Sequence, residues 1–312
     1  MGPTASGKTA LALELVRCLP CEIISVDSTM VYRGMDIGAA KPCAAVQAVA
    51  PHRLIDIRDP ADTYSAADFR VDALREMAHI TALGRVPLLV GGTMLYFRAL
   101  EHGLAALPKA DPTVRAHLLE EAEQVGWAAL HARLATIDPA LAARIHRNDP
   151  QRIQRALEIV ALTGKPPTEL FAAAEHSPLP YRLLKLIVAP ADRSLLQHRI
   201  AVRLTQMLQE GLVSEVELLY NRGDLSLRTP ALRSVGYRQV WEYLAGDVGF
   251  ATMQERAVVA TRQLARRQLT WLRAESSTHW IESTDPAIAT RALSIVEQVC
   301  KPPQSECAKR CG

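Results

Sequence analysis

The period of hydrophobic and polar positions changes several times along the chain, and each change marks an element. After a Gly-rich opening, Leu11, Leu15 and Val16 recur at helical spacing and predict a helix over residues 8–18. Residues 22–26 form a short apolar run of strand type, ended by Asp27-Ser28. Residues 86–90 form another, ended by Gly91-Gly92-Thr93. Leu95, Phe97 and Leu100 place a helix behind it, with Thr93 at its start. From about 111 to 177 the character differs. Ala, Leu and Arg at helical spacing dominate, and no run has strand character. In one of these helices Asp149 is the cap, Pro150 takes the first position, Gly164 and Pro166 end it, and Ile153, Ala156, Leu157 and Val160 make its apolar face. Residues 183–188 return to an unbroken apolar strand before Pro190, and helices follow over about 192–209 and 252–273.

Strand, helical stretch and strand in that order predict an α/β parallel-sheet core with an inserted all-helical domain. The expected organisation is a first core segment at 1–110, an insertion at 111–178, a second core segment with basic helices at 179–290, and a tail at 291–312. The tail, with Pro302-Pro303 and mixed charges from Lys301, is expected to be disordered at its end.

Composition changes this picture little. The chain is 312 residues long, 49% hydrophobic and only 5% aromatic, so its cores must be built from aliphatic residues. No apolar run nears the roughly 18 residues that cross a bilayer, so no membrane association is expected. No hydrophobic region precedes Lys8, so no leader is expected either. Six cysteines are scattered at 18, 21, 43, 300, 307 and 311. Cys18 and Cys21 lack a second pair at metal-ligand spacing and fit reduced thiols of a cytoplasmic protein. Charge is more informative than its net value of +3. Between Arg182 and Arg273, 14 Arg and Lys face 8 Asp and Glu, so this stretch carries +6 and the remainder −3. A basic C-terminal half points to a polyanionic partner.

The chemistry begins at Gly2-Pro3-Thr4-Ala5-Ser6-Gly7-Lys8-Thr9, which fits G-x-x-x-x-G-K-[ST] at every fixed position. Backbone N–H groups of such a loop hold phosphate oxygens, the helix behind adds its positive end, Lys8 neutralises a terminal phosphate and Thr9 holds Mg²⁺. A loop of this kind normally follows a buried strand, whereas only Met1 stands before it here. The expectation is a true start further upstream or a domain without that strand. Asp27 lies just past the carboxyl end of a strand, where α/β sheets face their ligand crevice. It could hold Mg²⁺ as in an ATPase, act as general base on an acceptor, or cap a turn. The run over 86–90 carries no acidic residue, which weighs against a P-loop small-molecule kinase or ATPase.

Basic residues recur in the second half. Arg199 and Arg203 stand one helical turn apart. Ser234-Val235-Gly236-Tyr237-Arg238-Gln239, with Arg233 just before it, combines a glycine, an aromatic and a cation, a set suited to close backbone approach and base stacking. Arg262, Arg266 and Arg273 fall within roughly 40° on one helix face, with Arg267 beside them, a stripe that tracks phosphates. Trp271 is expected in the core beside Leu269 and Leu272.

Seven runs carry a resemblance: GPTASGKT at 2–9, SVDSTMVYRGMDIGAAKP at 25–42, HRLIDIRDPADTYSAADF at 52–69, VGGTMLYFRAL at 90–100, DPQRIQRALE at 149–158, SVGYRQ at 234–239 and RRQLTWLR at 266–273. In this order the chain resembles the tRNA dimethylallyltransferase (tRNA isopentenyltransferase) family. The resemblance implies a P-loop NTPase-like core and a loop that holds dimethylallyl diphosphate in place of a nucleoside triphosphate. It implies that Asp27 takes the proton from the exocyclic amine of an adenine on the 3′ side of the anticodon, and that Arg203 matches an arginine at the diphosphate. It further implies contacts to the tRNA anticodon stem-loop from Asp27, Ser28, Thr29, Met30, Thr93, Arg115, Gln151, Arg152, Ile153, Gln154 and Arg155, as well as from the 233–238 and 262–273 segments above. A monomer acting with Mg²⁺ is the expected form. Prenylation of free adenine nucleotides would need neither the helical insertion nor the arginine stripe.

Overall fold

The computed structural model describes residues 1–173 and 179–300. In chain order the elements are α1 (Lys8–Cys18), β1 (Cys21–Val26), α2 (Ala44–Val49), β2 (His52–Arg53), α3 (Ala66–Ala82), β3 (Val86–Gly91) and α4 (Met94–His102). Five helices follow: α5 (Pro112–Val125), α6 (Trp127–Ile137), α7 (Pro139–Ala142), α8 (Pro150–Thr163) and α9 (Pro167–Ala172). Then come β4 (Lys185–Ala189), α10 (Arg193–Gln209), α11 (Leu212–Tyr220), α12 (Tyr237–Leu244), α13 (Phe250–Ala274), β5 (Thr278–Glu282) and α14 (Ile288–Cys300). Backbone proximity divides the chain into two units: Met1–Leu100 with Pro180–Gly312, and Glu101–Leu179. Among the described residues no helix is long and apolar enough to cross a membrane.

In the first unit β1 runs parallel between β2 and β3, with Ile23 beside Leu88 and Val26 beside Gly91. All six β1 residues are buried, as a central parallel strand covered on both faces requires. A second parallel pair joins β4 to β5. The Met1 amine donates to Leu186 O at 2.7 Å, and Val188 N donates to Met1 O at 2.9 Å, so the residue ahead of the loop lies strand-like along β4. Leu11 and Leu15 of α1 pack with Val188, Ile281 and Ala292, tying the first helix to the last. The α3 helix opens with a reciprocal Ser65–Asp68 capping box and lays Phe69 flat against Tyr96, ring centroids 4.4 Å apart. A larger aliphatic core gathers Met35, Leu212, Val216, Tyr237, Val240 and Met253 around α11–α13.

The second unit is all helical among its described residues. Leu118, Leu130, Leu134, Ile153 and Leu157 form its core. The α8 helix starts and stops as its pattern predicts. Asp149 accepts from Arg152 N, Pro150 opens the first turn and Gly164 closes the last in the left-handed region. Burial of Glu158, in the middle of α8, is not visible in that pattern.

Two strands escape the hydrophobic pattern. β2 has only two residues, and β5 buries Ile281 alone while His279 and Trp280 are exposed, Trp280 at 45%. The segment from 291, read as tail, is helical through Cys300 and buries Ala292. Its predicted disordered end lies outside the described residues, as do Cys307 and Cys311. Cys18 and Cys43 are exposed free thiols, and Cys21 is a buried one.

Candidate active site

The loop over residues 2–9 turns into α1 at Gly7, whose φ of +89° lies in the left-handed region that glycine enters without steric cost. Ala5 also adopts a positive φ, 60°, which costs a Cβ-bearing residue roughly 1 kcal/mol. Such backbone reversals turn successive N–H groups toward one point. Ser6 is buried, and among the described residues its hydroxyl has no hydrogen-bond partner. Lys8 Nζ folds back toward Pro3 O at 3.2 Å. Burial pushes the Lys8 amine down to about 8; the Asp27 carboxylate opposes that fall and the Arg203 guanidinium adds to it. Burial likewise lowers Arg203, with Asp27 acting against the shift.

These mutual influences reflect one enclosed space. Thr4, Lys8, Thr9, Asp27 and Arg203 line the same cavity, about 160 Å³ in volume. Asp27 sits where β1 ends. Its Oδ1 accepts from Thr29 N at 2.8 Å and Met30 N at 3.4 Å. The turn-capping role weighed from sequence is therefore real for one oxygen. Among the described residues no hydrogen bond engages Oδ2, so it can accept a further proton donor.

Neighbouring segments hold the rim. Thr93 opens α4 with its carbonyl, which accepts from Tyr96 N and Phe97 N, while its hydroxyl accepts from Ser28 N at 3.1 Å and fixes the turn after Asp27. Thr29 and Ser234 hydroxyls meet at 3.2 Å. Met30, Val235 and Gly236 line the cavity. Arg233 and Arg238 are exposed, and Arg238 pairs with Glu242 at 2.9 Å.

Gln268 has no place in the reading of the sequence. Its Oε1 accepts from Thr4 N at 2.9 Å and its Nε2 donates to Gly92 O at 2.8 Å. One amide thus bolts the phosphate loop to the end of β3. The signal was available: Thr261, Leu264 and Gln268 follow helical spacing on an inward face, and a buried polar residue there needs partners. His52 is the other omission. It lines the cavity, and its Nδ1 lies 2.7 Å from Ala50 O. Burial lowers its pKa below the ordinary histidine value.

Several residues read as RNA contacts are placed elsewhere. Tyr237 is fully buried, so its ring cannot stack on a base; its hydroxyl donates to Glu215 at 2.6 Å. Ile153 is fully buried in the core of the helical unit, where the apolar period of α8 puts it. Arg115 and Arg155 grip the buried Glu158 at 2.9 and 2.6 Å, and Arg155 also donates to Pro108 O. Their charge is spent on a carboxylate that could not otherwise be buried. Gln154 donates to Arg115 O. Gln151 and Arg152 are exposed. On α13, Arg262, Arg266, Arg267 and Arg273 are exposed and, among the described residues, form no ion pair. Trp271 packs beside Met94, Ile187 and Leu272, with Arg98 over its ring at 5.7 Å.

A profile of the IPP transferase family matches residues 30–275. The chain belongs to the IPP transferase family. One relative in it, the tRNA dimethylallyltransferase of Thioalkalivibrio sulfidiphilus (strain HL-EbGR7), is 64% identical over 289 residues, or 92% of this chain and 90% of its own. Among solved IPP transferase structures, the full-length tRNA isopentenylpyrophosphate transferase from Bacillus halodurans superposes with a TM-score of 0.69 at 38% identity, covering 96% of this chain and 93% of that one. A eukaryotic dimethylallyltransferase acting on tRNA shares the fold, with a TM-score of 0.80 at 24% identity over 96% of this chain and 77% of its own. The IPP transferase core is P-loop NTPase-like, and the sheet and loop described above are built on that plan.

Proposed function

We infer that this enzyme transfers a dimethylallyl group from dimethylallyl diphosphate to the exocyclic N6 amine of the adenosine on the 3′ side of the anticodon in tRNA, releasing diphosphate. The observation that carries this reading is that Asp27 shares one cavity with Lys8, Thr9 and Arg203. A kinase or ATPase would need an acidic residue near the end of β3, and Val86–Gly91 has none.

An allylic diphosphate ionises readily, so the enzyme mainly has to stabilise the departing diphosphate. The loop amides, Lys8 and the planar fork of Arg203 supply that charge. Adenine N6 is a poor nucleophile because its lone pair is delocalised. Asp27 Oδ2 accepts its hydrogen bond, and proton transfer in the transition state contributes roughly 10²–10⁴ in rate. The adenine leaves its stack to reach this carboxylate.

Mg²⁺ fits the residues present. It binds proteins through very few oxygens and takes phosphate and water for the rest. Thr9 offers a hydroxyl in the cavity, consistent with that sparse set. Bound there, the ion would neutralise diphosphate charge. Exposed Arg262, Arg266, Arg267 and Arg273 fit RNA phosphates, and Ser28, Thr29, Arg233 and Ser234 lie in segments beside the cavity. Gln151 and Arg152 fit RNA contacts of the helical unit. A cytoplasmic monomer is part of the same proposal.

The test is Asp27→Ala, assayed with labelled dimethylallyl diphosphate and unmodified tRNA. The variant should still bind the donor and should lose transfer by at least about a hundredfold. Undiminished turnover would remove Asp27 as the base.

A further inference from the structure

We propose that Met207 sets the length of the prenyl chain the enzyme accepts, by closing the donor cavity beyond Arg203. The inference rests on the reading that the donor is an allylic diphosphate.

The α10 helix grades along the cavity from an anion-holding end to an apolar one. Ile200 packs with Ala5 of the phosphate loop. Leu204 and Met207 pack into the aliphatic core around Leu212. Ile200 and Met207 are seven residues apart, about 10 Å along the helix axis. Arg203 lies between them, so a diphosphate held by Lys8 and Arg203 directs its hydrocarbon toward Leu204, Met207 and Leu212, all of which line the cavity.

Beyond that end lies a second cavity of about 610 Å³. The two spaces share Ala40, Pro42, Arg203 and Met207. Ala40 and Pro42 are short and Arg203 is at the diphosphate. Met207 is the one long apolar side chain in the partition.

The opposite wall is fixed. Glu215 accepts the N–H groups of Asp36, Ile37 and Gly38 at 2.9, 2.7 and 3.1 Å and the Tyr237 hydroxyl at 2.6 Å. The Tyr237 oxygen in turn accepts from Ala39 N at 3.1 Å. A Cβ at Gly38 would stand 2.5 Å from the Tyr237 ring, so this loop already rests at closest approach. It cannot recede to lengthen the inner space. The adaptable element is the unbranched thioether of Met207.

Transfer is balanced for any chain length. The C1–O bond breaks with its electron pair leaving on diphosphate, the N6–C1 bond forms, and the N6 proton passes to Asp27. Only the room for the tail differs. The experiment compares dimethylallyl and geranyl diphosphate as donors to unmodified tRNA, with kcat/KM measured for each. The wild-type enzyme should use geranyl diphosphate at least about a hundredfold less well, since an apolar pocket discriminates by roughly 10–200-fold for a single methylene. Met207→Ala should raise the geranyl-to-dimethylallyl ratio about tenfold or more, and Met207→Val, a milder truncation, should raise it less. Glu210→Ala alters the outer space and not the donor cavity, and should leave the ratio as it is. An unchanged ratio in a folded, dimethylallyl-active Ala or Val variant overturns the assignment, as does wild-type enzyme that takes both donors equally. If the wild-type enzyme transfers no dimethylallyl group to tRNA, the functional reading fails instead.

Discussion

Lys8 shows how one buried cation couples binding to pH. Its amine is held at about 8, against 10.5 when unburied. A bound diphosphate favours the charged form and draws the pKa back up. Affinity for diphosphate should therefore fall as pH rises above about 8, by at most about tenfold per unit. At pH 8.5 binding should take up protons, visible as calorimetric heats that vary with buffer ionisation enthalpy, whereas near pH 7 Lys8 is already charged and should contribute no uptake. The linkage to folding follows the same shift. Between pH 8 and 10.5 the unfolded chain holds more protons at this site, so its contribution to stability grows as pH climbs through that window. An affinity indifferent to pH over this range would mean that the amine does not meet the diphosphate.

At the scale of elements, the helical unit is pinned by a charge that amphipathic patterning misplaces. Glu158 is wholly buried on α8 and accepts from Arg115, Arg155 and Asp111 N. Replacing it with Ala leaves two arginines facing a vacated pocket, and losing one side of a buried pair typically costs about 3–5 kcal/mol. Both arginines reach solvent, at 43% and 33% exposure, so the cost should lie near the lower figure. Chemical denaturation of the variant should show the loss, and a change below about 0.5 kcal/mol would contradict the assigned role.

The same residues mark what was legible beforehand. Elements with strong periodicity and end signals, α1, α8 and α10, fall where the pattern places them, because each needs only local chemistry. The Asp27 turn was legible because it follows a buried strand. The inward face of Gln268 was legible too, but its partners Thr4 and Gly92, 264 and 176 residues away, and the loop that Glu215 holds, 177–179 residues away, were not. Arg115, Arg155 and Tyr237 have the composition of RNA contacts, and only the tertiary structure reveals that the arginines pair with Glu158 and that Tyr237 is buried.

For the molecule as a whole, the basic surface of the first unit gives a salt-dependent prediction. Arg262, Arg266, Arg267 and Arg273 lie exposed on α13. Each, replaced singly by Ala, should weaken tRNA binding at low ionic strength. For every arginine that meets a phosphate, its removal should reduce the slope of log affinity against log salt by about 1. Binding with the wild-type slope in all four variants would move the RNA to another face.

The first unit is also discontinuous in the gene's reading direction. Residues 1–100 carry the phosphate loop and Asp27, but the amide that bolts the loop belongs to Gln268, and the aliphatic partners of α1 include Ile281 and Ala292. At roughly 5–20 residues per second, a ribosome needs roughly 8–34 s to travel from the end of that first stretch to Gln268. During that interval the nascent domain keeps its unfinished apolar side toward solvent, while the inserted helices can already close on themselves. Holding factors that meet the chain at the exit tunnel would thus find the half-built catalytic unit, not the insertion, as their client.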